Sequence, residues 1–282
     1  MESLRSAHGP RSMYEMTWDE VDDLLRAGCD TVIIPMGQVA QHGRHLPLAS
    51  DAIQAREVSR RVALELARAG RQILLGPTVP FGHSPAHYRF PGTIEVEPET
   101  LALVIRDIGR SLVRQGFKRL VFFCCGGGNW AAVENAAYHL WKEDGAGVWV
   151  LGFFETMASV APEFLEAAGR GEHDGHAAEL ETSCVLAATP DLVDMTKAVN
   201  HQSPAYVELT ELPFRWFNFN EFSRATGVWD NKVFSDNGVW GNATLGTAAK
   251  GEKVLDAAAG ALARHLERYV YEGQLQPNGP RT

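Results

Sequence analysis

Residues 41–51, Gln-His-Gly-Arg-His-Leu-Pro-Leu-Ala-Ser-Asp, gather two imidazoles, His42 and His45, and the carboxylate of Asp51 in one polar loop. Histidine nitrogen and carboxylate oxygen are the lone pairs that bind zinc or manganese, so the loop reads as a metal loop. It follows directly on the apolar run 31–36, Thr-Val-Ile-Ile-Pro-Met, which reads as a buried strand. In α/β sheets functional groups converge at such strand ends.

The elements that must position this loop alternate along the chain. A helix over 17–27 opens with Thr17 and Glu20 at capping-box spacing, and a second over 52–69 carries Ile53, Val58, Val62 and Leu66 on one face. A short apolar run at 72–75 precedes an amphipathic helix over 98–115, a strongly apolar strand over 119–125, a helix over 130–143 and a strand over 147–154. This βαβα order predicts a three-layer α/β/α fold, a mostly parallel sheet flanked by helices. Residues 200–240, rich in aromatics, Asn and Pro, have no clean period and read as a long ordered excursion over the sheet; a final helix spans 248–271. The expected organisation is a loose N-terminal extension over 1–12, one domain over 13–272 and a flexible tail over 273–282.

Composition narrows the function. The chain has 282 residues, enough to bury a sheet on both faces, and 35 acidic against 26 basic side chains give a net charge of −9. The basic residues are scattered, which argues against a nucleic-acid partner. No apolar run reaches the roughly 20 residues that span a bilayer, and no signal-peptide core is present. Cys29, Cys124, Cys125 and Cys184 have no zinc-type spacing, and a reducing cytoplasm fits them best.

Several segments together resemble the creatininase family. Gly37, Gln41, His42, Gly43, His45, Leu46, Pro47 and Asp51 match its Gly-x-x-Glu-Gln-His-Gly-x-His-Leu-Pro-x-x-x-Asp pattern, and residues 81–93 match its loop ending Phe-Pro-Gly-Thr. Residues 124–129, Cys-Cys-Gly-Gly-Gly-Asn, stand where the family has Asn-Gly-His-Gly-Gly-Asn. Residues 176–183, His-Ala-Ala-Glu-Leu-Glu-Thr-Ser, stand where it has His-Ala-Gly-x-x-Glu-Thr-Ser. Met16-Thr17-Trp18 and residues 238–242 followed by Ala248 and Gly251 extend the resemblance over about 250 residues in order.

The resemblance implies the family's fold and an amidohydrolase in which two adjacent divalent metals, bridged by the equivalent of Asp51, activate a water against an amide or lactam carbonyl. One metal's glutamate is Ala40 here and its histidine is Gly126. What remains is His42, Asp51 and Glu181, a set for one divalent ion (zinc, manganese or iron) or for none; in creatininase a glutamate serves at the position that is Gly128 here. His176 matches the histidine that shuttles a proton near the scissile bond. The family also implies a homo-oligomer, often a hexamer, and a small-molecule substrate.

Further candidates surround this set. His83 and His87 lie in a Gly/Pro loop with Arg89, whose guanidinium could hold a carboxylate or phosphate. Cys124 could act as a thiolate nucleophile with His176 or His42 as base, or as a small core hydrophobe. Gly126-Gly127-Gly128-Asn129 reads as a tight turn that lets backbone approach a ligand, with Gly127, Asn129 and Trp130 as substrate-binding candidates, and Trp130, Trp216, Trp229 and Trp240 are candidates for pocket walls or a subunit interface. The leading expectation is a divergent hydrolase of a C–N bond in a cyclic amide, formamide or similar small polar substrate. The alternatives are an inactive ligand-binding or partner subunit of the same fold, and metal-free chemistry through Cys124 or His176.

Overall fold

The computed structural model describes residues 12–172, 174–202, 232 and 235–273. Four parallel strands form the central sheet: β1 (Thr31–Met36), β2 (Leu74–Leu75), β3 (Arg119–Cys124) and β4 (Gly147–Gly152), in the order β2-β1-β3-β4. Along β1 and β3 the register runs from Thr31 opposite Arg119 to Met36 opposite Cys124. Seven helices flank them among the described residues: α1 (Trp18–Arg26), α2 (Ser50–Arg68), α3 (Pro98–Gln115), α4 (Trp130–Asp144), α5 (Phe153–Val160), α6 (Glu179–Ala188) and α7 (Ala248–Leu266). A two-stranded antiparallel ribbon pairs β5 (Asn200–His201) with β6 (Gly241–Asn242).

Successive side chains of a strand face opposite layers, and here each layer has its own core. Val32, Ile34, Met36, Leu120, Phe122 and Cys124 pack with α3 and α4. Ile33, Val121, Phe123 and the following Cys125 pack with α2, α5, α6 and α7. Phe122 and Phe123 are both fully buried, and a large apolar side chain so placed contributes about 1.5–3 kcal/mol. The three-layer α/β/α expectation therefore holds.

The local signals act as read at several points. Thr17 and Glu20 form the capping box of α1, and Pro98 starts α3, where its missing N–H costs no helical hydrogen bond. Differences have local causes. The strand expected over 147–154 ends at Gly152, because Phe153 begins α5 and buries its ring; a short apolar run does not distinguish strand from buried helix. Helix α6 carries no amphipathic stripe, since Glu179 to Val185 are all buried. The final helix is α-helical to Leu266 and closes with a wider π turn over Glu267–Tyr271.

The termini expected to be loose, 1–11 and 274–282, lie outside the described residues, as do His173, Trp216, Trp229 and most of the excursion expected over 200–240. Ser12 is described: it is buried and forms a parallel bridge to Leu75. No described helix is long and apolar enough to cross a membrane.

Candidate metal centre

The loop after β1 is tied down by its own backbone: Ala40 N–H donates to Leu48 O at 2.9 Å, and Gln41 N–H donates to Thr93 Oγ1 at 3.1 Å. This carries His42 under the sheet's α2 side, while Asp51 enters from the first turn of α2, whose positive end suits a carboxylate. Glu181 arrives from the first turn of α6, where its Oε2 accepts the Ala177 N–H at 2.5 Å. Ala177 adopts φ 53°, a left-handed conformation that turns its amide into the site, and such strain in a non-glycine residue persists only where surrounding contacts enforce it.

His42, Asp51 and Glu181 are 1%, 3% and 1% exposed. His42 Nε2 lies 3.4 Å from Asp51 Oδ1 and 3.8 Å from Glu181 Oε1. Neither His42 Nε2 nor Glu181 Oε1 makes a hydrogen bond. On the far side of the ring Nδ1 donates to Ala40 O at 3.1 Å, which fixes the tautomer and leaves Nε2 with its lone pair when the ring is neutral. Burial alone would lower the imidazole's pKa, but Asp51 and Glu181 outweigh it and raise His42 to about 9. Burial, opposed by His42 and reinforced by Asp51, pushes the Glu181 carboxyl upward. Two buried carboxylates facing one imidazole, with unpartnered donor atoms between them, have the composition of a cation site.

His176 joins this group from the other side. It is held by Trp240 N–H donating to its carbonyl at 2.8 Å, and its Nε2 donates to Gln41 O at 2.7 Å, so Nδ1 keeps the lone pair and sits 3.8 Å from Glu181 Oε2. Ligand atoms of His42, His176 and Glu181 all fall within 4.8 Å of one another. His87 stacks on His176 with ring centroids 4.4 Å apart, as His42 does at a tilt. Burial, then the neighbouring imidazoles, hold His176 well below its ordinary range; burial and His42 bring His87 down to about 3. Both are neutral bases at pH 7.

The other expected residues divide. His83 stays outside, with Nδ1 at 3.2 Å from Val96 O and 3.4 Å from Glu95 Oε1. Arg89 is exposed on its loop, and Trp130 is half-buried at the start of α4 beside Gly152. Asn129 is fully buried and committed to backbone: Oδ1 accepts His83 N–H at 2.9 Å and Nδ2 donates to Gly37 O at 3.0 Å, so it offers a substrate nothing. Gly127 is exposed with open space beside it.

Cys124 faces the α3/α4 core, its Sγ donating weakly to Gly126 O at 3.7 Å, and burial pushes its thiol up, away from the thiolate a nucleophile needs. Strand parity puts Cys125 instead on the side of the centre, with Sγ 3.5 Å from Asp51 Oδ1. Sequence reasoning weighed the two cysteines together and singled out Cys124, although the alternation of β3 carries the signal for Cys125. It passed over Gln41, whose Nε2 donates to His87 Nδ1 at 2.9 Å and to Gly238 O at 3.2 Å.

Where the resemblance puts a second metal, the structure puts Gln38. Its Nε2 donates to His83 O at 2.6 Å, and a Cβ on Gly126, which sits at φ 106°, would come within 2.6 Å of its Cδ. Ala40 and Gly126 supply no lone pair there and Gln38 packs against residue 126, while the three side chains whose ligand atoms do converge among the described residues are His42, His176 and Glu181.

The creatinine amidohydrolase family model matches residues 14–266. The chain belongs to the creatininase family. It is 30% identical to the mycofactocin precursor peptide peptidase of Mycobacterium tuberculosis (strain CDC 1551 / Oshkosh) over 258 residues, 89% of each chain. It is also 30% identical to the creatinine amidohydrolase of Pseudomonas putida over 203 residues, 66% of this chain and 75% of that one. The fold matches a manganese creatininase with a TM-score of 0.71 at 23% identity, over 95% of this chain and 98% of that one. All four of this creatininase-family chain's cysteines are free and buried.

Proposed function

We propose that this chain is a single-metal hydrolase of a C–N bond in a small polar substrate. The observation that carries the reading is the pair of buried, unpartnered atoms, His42 Nε2 and Glu181 Oε1, facing each other beside Asp51. His42, Asp51 and Glu181 would hold one divalent ion, which supplies a Lewis acid and a water of lowered pKa. His176 Nδ1, neutral and aimed at the same space, accepts the proton of an attacking water, and Gln41 O holds the ring from behind. His87 stacks on that ring and limits its rotation.

Substrate would enter past residues 238–240, which the Gln41 and His176 hydrogen bonds pin to the centre. Beside Val239 lies a cavity of about 410 Å³ whose charged or titratable lining is Arg44, Lys197, His201, Lys232 and Asp236. Its positive lining favours a substrate with an anionic group, such as the carboxylate of an amino-acid derivative or short peptide. Relatives named as a peptidase and a creatinine amidohydrolase support hydrolysis of either an amide or a peptide bond. A cytoplasmic homo-oligomer, hexameric as the resemblance implies, completes the reading; light scattering on the purified chain tests the assembly.

The direct test is metal analysis of protein purified without chelators, with turnover on lactams, formamides and short peptides. About one zinc, manganese or iron per chain, lost together with turnover in His42→Ala, is expected. A metal-free chain with full turnover overturns the mechanism. The Gln38 packing favours a second reading, a ligand-binding or partner subunit without turnover. Turnover by the isolated chain would exclude it.

A further inference from the structure

We propose that His45 is a positioning residue for Glu181, acting through the Thr182 hydroxyl and the left-handed backbone of Ala177. The proposal rests on the single-metal reading above and adds to it what aims one of the ligands. His45, Ala177 and Thr182 are all buried. The side chains whose ligand atoms converge among the described residues are His42, His176 and Glu181, so His45 acts on the centre through another residue.

Ala177 stands between two of those three side chains, directly after His176 and one helical turn before Glu181. Both of its polar groups are tied. Its N–H donates to Glu181 Oε2 at 2.5 Å, and its carbonyl accepts the Thr182 hydroxyl at a long 3.5 Å. A hydroxyl has one proton, so with that proton on Ala177 O the Thr182 oxygen accepts from His45 Nε2, 2.9 Å away. Burial, then His42, bring the His45 ring down to about 4, so at pH 7 it holds a single proton, and the Thr182 contact keeps that proton on Nε2. Nδ1 is buried without a hydrogen-bond partner, which leaves Thr182 as the polar tie of this ring among the described residues.

The left-handed backbone is what makes the relay necessary. Ala177 holds φ 53°, a conformation that a residue with a Cβ leaves unless its neighbours enforce it. Relaxing to negative φ would rotate the Ala177 N–H away from Glu181 Oε2 and free the carboxylate to turn. His45 shares the loop after β1 with His42, whereas Glu181 opens α6, so the relay couples the two sides of the centre. Glycine at 177 would adopt φ 53° without strain and make the relay dispensable.

The test measures zinc affinity of the full chain by competition with a chromophoric chelator. His45→Ala should lower it by the roughly 10–100-fold that losing an outer partner of a ligand costs, and His45→Gln, whose amide can donate in place of Nε2, should recover most of the loss. Thr182→Val, which keeps a methyl group beside Gly246 and lacks the hydroxyl, should match His45→Ala, and Thr182→Ser should lose far less. In an Ala177→Gly background the loss from His45→Ala should largely disappear, since glycine cures a strained backbone and not a cavity left by a missing ring. An undiminished loss in that background, or no loss from His45→Ala and Thr182→Val, overturns the relay and leaves the single-metal reading standing. If His45→Ala does not fold, Thr182→Val carries the same comparison. A wild-type chain that binds neither zinc, manganese nor iron(II) overturns the single-metal reading, and hydrogen exchange then decides the relay. The segment around Ala177 should exchange faster in Thr182→Val than in wild type, and equal exchange overturns the relay as well.

Discussion

The three glycines that follow Cys125 provide a graded test of what fills the second metal's place. At Gly126 an alanine must hold φ near 106° and push its Cβ to within 2.6 Å of Gln38 Cδ. Such a backbone costs about 1–3 kcal/mol, and displacing Gln38 from His83 O adds about 0.5–1.5 kcal/mol for the lost hydrogen bond. The sum, about 1.5–4.5 kcal/mol, corresponds to roughly 3–18 °C in Tm at about 2–4 °C per kcal/mol for a large domain. At Gly128 the new Cβ would lie 2.0 Å from the backbone oxygen of His83, which cannot rotate away, so Gly128→Ala should lose about 3 kcal/mol or more. At Gly127 nothing lies within 4 Å and φ is ordinary; Gly127→Ala should stay within about 1 kcal/mol of wild type, on either side. Thermal unfolding followed by circular dichroism at fixed metal content reads all three. In a Gln38→Ala background the loss at Gly126 should shrink by the steric share while the backbone share persists. A Gly126→Ala protein as stable as wild type, or a Gly127→Ala protein as unstable as Gly128→Ala, would refute the reasoning.

Four further outcomes follow from the geometry. His42→Ala should lose both bound metal and turnover, whereas His176→Ala should keep about one metal per chain and lose roughly 10²–10⁴-fold in kcat, the usual weight of general-base catalysis; metal analysis beside steady-state kinetics separates them. Arg61 grips Glu57 on its own helix and reaches Glu252 and Asp256 on α7, so Arg61→Ala should cost about 1–2 kcal/mol by denaturant unfolding. Burial raises the Glu57 carboxyl, but Arg60 and Arg61 bring it below the ordinary range; its contribution is present above the unfolded value near 4.3 and lost as pH falls through the lower folded value, and Glu57→Gln should remove this part of the acid sensitivity. Arg44→Ala should raise KM for an anionic substrate about 3- to 10-fold with little change in kcat, an effect that rising salt erases; a kcat loss instead would place Arg44 in the chemistry.

The sheet and most of its helices were legible because local patterns and burial agree there. β1 and α3 start and stop where the apolar runs and Pro98 put them. Helix α6 was not, because a helix buried on all sides shows no period. Of the site, His42, Asp51, Glu181, His176 and His87 do come together, carried by loops whose motif spacing is visible in the sequence. The exchange of Cys124 for Cys125 follows from strand alternation, which the sequence contains once the register of β3 is fixed. That His83 stays outside while His87 enters depends on how the 81–93 loop packs under Gln38 and Asn129, a tertiary matter with no local signature.

Gln38 also bears on how such a site changes over generations. Recovering the second metal requires a glutamate at Ala40, a histidine at Gly126 and a new place for the Gln38 side chain. A histidine introduced first meets Gln38 and an unfavourable backbone, and a Gln38 change made first forfeits its bond to His83 O before any ligand exists. Each single step costs packing or a hydrogen bond before the full ligand set exists, so the packing works as a ratchet against rebuilding that arrangement one substitution at a time.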